Sequence, residues 1–95
     1  MNSMITDEQI KAAILLKLYK RGKWGASHTS FKNLKKGFKE KELGKKGLKR
    51  VDKAGKGLIR DGLLLQKPTH YGIEISLNPK KHKIIHKAIQ KFFRP

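Results

Sequence analysis

The chain has 95 residues, and its 24 Lys and Arg against 7 Asp and Glu give a formal net charge of +17. This length suits one small domain and excludes a large enzyme with a deep cleft. Cysteine is absent, which excludes disulfides and cysteine zinc sites. The longest apolar run, residues 12–16, is far shorter than the ~20 residues of a membrane span. We therefore expect a cytoplasmic protein with no membrane partner.

The positive charge is concentrated in two parts of the chain. Residues 21–57 carry a net charge of +10 and residues 80–95 a net +6, whereas residues 58–79 are neutral. A localised basic block beside a neutral block is typical of a surface that binds a polyanion. The alternative is a generic lysine-rich surface, but such surfaces usually balance Lys with Glu, and here Glu does not. The charge distribution therefore favours a nucleic-acid partner.

The first predicted element is a helix over residues 7–21. Thr6 and Gln9 have the spacing of a capping box, in which each side chain bonds the backbone of the other. Helical apolar spacing follows at Ile10, Ala13, Ile14 and Leu18. Gly22 is the predicted stop. Residues 23–26 have room for a short edge strand, in which Trp24 is predicted to cover the core.

A second and a third helix are predicted before residue 62. Residues 27–30 offer N-cap candidates, after which Phe31, Leu34 and Phe38 follow helical spacing. Residues 39–42 are a predicted polar turn. The third helix is expected from residue 43 or 44 to residue 61, with several glycines that weaken it. Its predicted inward stripe comprises Leu48, Val51, Gly55, Leu58 and Ile59.

The last third of the chain predicts a hairpin and a final helix. Residues 63–67 are typical of a buried strand, residues 68–72 of a turn, and residues 73–77 alternate with period two. Asn78 is the predicted N-cap of the final helix, with Pro79 at its first position. The apolar stripe of that helix comprises Ile85, Ala88, Ile89, Phe92 and Phe93.

Helix, short strand, helix, helix, hairpin, helix is an order that resembles the winged helix-turn-helix family of nucleic-acid-binding domains. The main signature is the junction at residues 58–64, where a helix ending in Asp61-Gly62 runs directly into a hairpin. Residues 28–34, 67–72 and 76–79 look like small archaeal members of that family. The resemblance covers residues 5–78 and implies an α+β, mainly α fold with a three-helix core and a β-hairpin wing. Residues 79–95 would form an extra C-terminal helix, packed on the domain or used for dimerisation.

The resemblance implies that the third helix lies in the major groove of DNA and that the wing touches the duplex beside it. The cations that would face DNA are Lys45, Lys46, Lys49, Arg50, Lys53 and Lys56. The wing would supply Lys67, Thr69, His70 and Tyr71, although an ordinary hairpin turn explains these residues equally well. Because lysines mostly contact phosphates, we expect modest sequence specificity.

The second helix offers further contacts. Its first residues could hold a phosphate through backbone N–H groups and hydroxyls, or could simply cap the helix: Ser27, His28, Thr29 and Ser30. Three lysines could clamp the DNA backbone or form a solvated face: Lys32, Lys35 and Lys36.

No enzymatic motif is found, and we expect neither a catalytic site, a metal nor a cofactor. His82 and His86 have the i, i+4 spacing of a zinc helix, but Lys83 stands where the motif needs Glu. The predicted function is binding of double-stranded DNA, as a transcription regulator or an architectural, nucleoid-associated protein. The alternatives are an RNA-binding or ribosome-associated protein and a protein-interaction module. A homodimer through the C-terminal helix is a further expectation.

Overall fold

A computed structural model of the chain describes residues 5–38, 43 and 46–93. These residues form helices α1 (Asp7–Lys20), α2 (Phe31–Lys36), α3 (Gly47–Arg60) and α4 (His82–Phe92). The strands are β1 (Thr29–Ser30), β2 (Leu64–Thr69) and β3 (Gly72–Leu77). A 3₁₀ turn, Pro79–Lys81, leads into α4. The polar turn predicted at residues 39–42, like Lys45, lies outside the described residues.

The three strands form one antiparallel sheet in the order β1-β3-β2. The predicted hairpin is confirmed: β2 and β3 pair from Leu64 opposite Leu77 to Thr69 opposite Gly72. The prediction that its first strand is buried was wrong, because β2 lies at the edge of the sheet and only Leu64 in it is buried. Gly72 has a φ of 122°, a value that favours glycine, and this closes the turn without a strained side chain. Pro68 is tolerated because β2 is an edge strand, where a missing N–H need not break the ladder.

The core lies around α1, which packs against α3, α4 and β3. Its fully buried side chains come from every helix and from the hairpin; among them are Ile14, Leu18, Leu34, Val51, Leu58, Leu64, Ile75, Leu77 and Ile85. Trp24 packs against this core, as predicted, and meets the ring of Tyr19 edge-on at a centroid distance of 6.2 Å. The apolar side of α4 belongs to the same core through Ile85 and Ile89. A homodimer through this helix stays a prediction.

Local hydrogen bonds confirm the predicted caps at Thr6 and Asn78, although the last α-helix begins only at His82, after the 3₁₀ turn. Thr6 Oγ1 accepts from the Gln9 amide at 3.1 Å, and the Thr6 amide donates to Gln9 Oε1 at 2.8 Å, which completes the capping box. Asn78 caps the turn before α4 by accepting from the Lys80 amide at 3.0 Å. The Asn78 side chain also donates to the Gly62 carbonyl at 2.8 Å, so it ties the end of β3 to the end of α3.

The first strand is not where it was predicted. Residues 23–26 contribute only an isolated parallel bridge between Trp24 and Leu77, and β1 is formed by Thr29 and Ser30 instead. Gly22 and Gly25 have φ values of 64° and 57°, so the chain turns on both sides of Trp24 and cannot extend there.

The inward stripe predicted for the third helix was wrong at Leu48, whose side chain is 38% exposed. The face that enters the core runs through Gly47, Val51, Ala54 and Leu58, and Leu48 lies to one side of it. Leu48 instead lines a shallow surface depression with Phe38 and the lysines of α2. The start of α3 also falls later than expected, at Gly47.

The fold is a small, mostly helical α+β arrangement with a three-stranded antiparallel sheet. This arrangement is compatible with the winged-helix layout that the sequence resembles. Of the helices the structure describes, none is both long enough and apolar enough to cross a membrane.

Candidate nucleic-acid interface

The solvent face of α3 is a continuous line of positive charge, which we call the α3 stripe. Its members are all exposed: Lys46, Lys49, Lys53, Lys56 and Arg60. They follow one another in alternating steps of three and four residues, which keeps them on one side of the helix, opposite the buried Val51, Ala54 and Leu58. Each like-charged neighbour on a helix costs about 0.2–0.5 kcal/mol, so the stripe is destabilising until an anion neutralises it.

Arg50 is not part of the stripe, because its side chain turns toward the start of α1. Its Nη2 donates to the Ile5 carbonyl at 2.6 Å and to Asp7 Oδ1 at 2.9 Å, and its Nη1 donates to the Leu43 carbonyl at 3.0 Å. The guanidinium thus joins three separate parts of the chain. The structure gives Arg50 intramolecular contacts, whereas the resemblance implied that it faces DNA.

Of the three lysines of α2, one is paired within the chain and two are exposed to solvent. Lys35 Nζ lies 2.8 Å from Asp52 Oδ1 of α3, and it lies 5.7 Å from the centre of the Phe31 ring. Lys32 and Lys36 are exposed. The two exposed lysines therefore extend the positive surface beside α3, while Lys35 holds the two helices together.

Phe31 and Gly55 set the distance between α2 and α3. A Cβ atom added to Gly55 would lie 2.5 Å from the end of the Phe31 ring, closer than any side chain tolerates. The ring therefore occupies the space that glycine leaves open. Lys32 and Lys36 of α2 thereby line the same depression as Leu48 of α3.

The tip of the hairpin presents its side chains to solvent. Tyr71 is 96% exposed, so it does not pack on the sheet as an ordinary hairpin tyrosine would. The Thr69 hydroxyl donates to the Gly72 carbonyl at 2.8 Å and accepts from the Tyr71 amide at 3.2 Å. These bonds hold the turn while leaving Tyr71 and His70 outside. Lys67 is also exposed, and it lies opposite Glu74 in the strand register.

The start of α2 is explained by structure alone. Ser30 Oγ accepts from the Asn33 amide at 3.2 Å, an ordinary N-cap bond, and Thr29 pairs with Ile75 in the sheet. Ser27 is exposed and His28 is half-buried. Of the two interpretations of residues 27–30, capping is the one for which the structure gives contacts.

Arg60 was missed as a binding candidate. Its side chain is 76% exposed, and it continues the α3 stripe by one more turn. The signal was present in the sequence, because Arg60 lies four residues after Lys56. The resemblance implies only a junction between helix and wing at residues 58–64, so it assigns Arg60 no contact with DNA.

The C-terminal helix carries a separate positive surface at Lys83, Lys87 and Lys91. Lys91 Nζ lies 3.4 Å from Glu8 Oε2, which ties α4 to the start of α1. His86 packs edge-on against Tyr19 with ring centres 5.0 Å apart, and His82 contacts the Pro79 carbonyl at 3.2 Å. Within the described ranges, no three His, Asp or Glu side chains come together as a metal site would require.

Comparison with family models, with curated proteins and with solved structures found no match for this chain.

Proposed function

We propose that this protein is a winged-helix protein that binds double-stranded DNA, with α3 in the major groove and the hairpin as its wing. The observation that carries the proposal is the α3 stripe. Five cations lie along one exposed helix face, and the acid beside them, Asp52, is paired with Lys35 of α2. The major groove admits an α-helix, and the phosphates along its walls neutralise such a face.

The chemistry of the stripe sets how the duplex is recognised. Four of its five members are lysines, which act on phosphates as point charges rather than as bidentate donors to bases. Arg60 is the single guanidinium in the stripe, and α3 contains no Asn or Gln to recognise adenine. Binding through phosphates with modest sequence specificity follows, as in a transcription regulator with a broad site or an architectural protein.

The wing supports the same orientation. β2 begins four residues after α3 ends and contacts that helix, so the hairpin adjoins the end of α3 that carries Arg60. Tyr71 and His70 at its tip are exposed, and Lys67 adds a cation behind them. A surface for stacking single-stranded bases needs several exposed aromatic rings, whereas this hairpin offers Tyr71 and the imidazole of His70. The arrangement favours a duplex over a single strand.

Fluorescence anisotropy with a labelled duplex of about 20 base pairs, repeated at several salt concentrations, tests the proposal. We expect log Kd to change steeply and linearly with log salt, with a slope near 0.9 for each phosphate contacted. Unlabelled single-stranded DNA and double-stranded RNA serve as competitors. Equal or stronger competition by RNA would replace the proposal with the RNA-binding alternative. Absence of binding at moderate salt would instead support the alternative in which the basic surface binds a protein partner.

A further inference from the structure

Two cations from different helices meet above Gly57, on the side of α3 that faces α1. A Cβ atom built on Gly57 would lie 3.2 Å from Lys11 Nζ of α1 and 3.5 Å from Arg60 Nη2 of α3. The sum of those distances, 6.7 Å, is the largest separation that the two nitrogens can have. The Lys11 side chain therefore extends from α1 to Arg60, at the end of the α3 stripe.

Gly57 makes this approach possible. A residue with a side chain would place its Cβ against Lys11 Nζ and Cε, both 3.2 Å away. Glycine inside a helix costs about 1 kcal/mol relative to alanine, so the chain gives up helix stability at this position. What it gains is a direct path for the Lys11 ammonium group to the surface of α3.

The two charges repel each other, and the described residues offer little to offset them. Lys11 has no carboxylate within ion-pair distance among the residues that the structure describes. Arg60 Nε lies 3.9 Å from Asp61 Oδ1, a long and exposed pair that contributes little. Arg60 Nη2, which shares an edge of the guanidinium with Nε, is the nitrogen next to Gly57. Two cations held this close favour an anion between them.

We propose that Lys11 and Arg60 together bind a single phosphate of the DNA backbone, as a clamp between α1 and α3. The inference rests on the proposed function and adds a contact from the first helix, which lies outside both the recognition helix and the wing. Charge-assisted bonds from two nitrogens to two oxygens of one phosphate, each of about 2.7–2.9 Å, span the separation seen here. The clamp would fix how far α3 can slide along the groove.

The test compares the salt dependence of duplex binding in Lys11→Gln, Arg60→Gln and the double variant. Because the slope counts phosphates, two cations on one phosphate should lower it by about 0.9 in total, in the double variant. Each single variant should weaken binding several-fold with a smaller change in slope, since one cation still holds the phosphate. Lys11→Arg, which keeps the charge, should restore binding close to that of the unaltered protein.

Lys20→Gln is the matched control, because Lys20 is exposed at the far end of the same helix. A double variant that lowers the slope by about 1.8 would mean two separate phosphates, and would overturn the shared clamp. An effect of Lys11→Gln no larger than that of Lys20→Gln would also overturn it. If the unaltered protein shows no salt-dependent duplex binding, the proposed function itself fails, and that outcome is visible before any variant is made.

Discussion

At the scale of single residues, the structure separates cations that hold the fold from cations that face solvent. Arg50 and Lys35 have partners within the chain, whereas Lys49 and Lys53 are exposed and form no ion pair among the residues that the structure describes. Arg50 and Lys49 are neighbours in sequence, but their side chains leave α3 in different directions. Substituting Arg50 or Lys49 by a neutral residue removes one positive charge in each case. The Arg50 substitution should lower stability, whereas the Lys49 substitution should weaken DNA binding.

Arg50→Gln should lower the free energy of unfolding by about 1–3 kcal/mol, because hydrogen bonds from a charged donor to Asp7, Ile5 and Leu43 are lost. Arg50→Lys should recover little of this, since an ammonium group cannot reproduce the fork of a guanidinium. Urea denaturation of the two variants measures both changes in the free energy of unfolding. Lys49→Gln is the control and should change stability by no more than about 0.5 kcal/mol. Equal losses for Arg50→Gln and Lys49→Gln would contradict the role given to Arg50.

At the scale of elements, α3 is a helix whose glycines serve its contacts. Gly55 admits the Phe31 ring of α2, and Gly57 admits the Lys11 side chain of α1. The two sites differ in what a methyl group would meet. At Gly55 it meets a packed ring at 2.5 Å, and at Gly57 the flexible end of a lysine at 3.2 Å.

Gly55→Ala should therefore destabilise the protein by roughly 1–3 kcal/mol, because overpacking against Phe31 outweighs the gain in helix propensity. Gly57→Ala should be neutral or stabilising by up to about 1 kcal/mol, because the lysine can move aside. Thermal and urea denaturation of this matched pair provide the comparison. A stabilising Gly55→Ala would show that α2 does not lie against α3 as described.

At the scale of the whole molecule, a net charge of +17 on 95 residues stabilises binding to polyanions and destabilises the free fold. Salt screens this self-repulsion over about 10 Å at 0.1 M ionic strength. We therefore expect Tm to rise with added salt, by roughly 4–8 °C for each kcal/mol recovered. A bound duplex should raise Tm further by mass action. Calorimetry at several salt concentrations measures both effects, and a Tm that falls with added salt would contradict this charge balance.

Local patterns were enough to predict much of the fold. The capping box at Thr6, the cap at Asn78 and the hairpin follow from neighbouring residues, and all are present. The pairing of Arg50 with Asp7 was not predictable in this way, because it joins residues 43 positions apart and depends on how α1 packs on α3. The same holds for Lys35 and Asp52. Sequence therefore located the basic region, while packing decided which of its charges face solvent.

We expect the α3 stripe, and not positive charge in general, to bind the duplex. The most direct measurement compares two double variants that each remove two positive charges, Lys49→Gln with Lys53→Gln on α3, and Lys83→Gln with Lys87→Gln on α4. All four lysines are exposed, so neither variant should disturb the core. We predict that the α3 variant lowers the salt slope of duplex binding by about 1.8 and that the α4 variant lowers it far less. Equal losses in the two variants would show that binding follows net charge alone, and would contradict the claim.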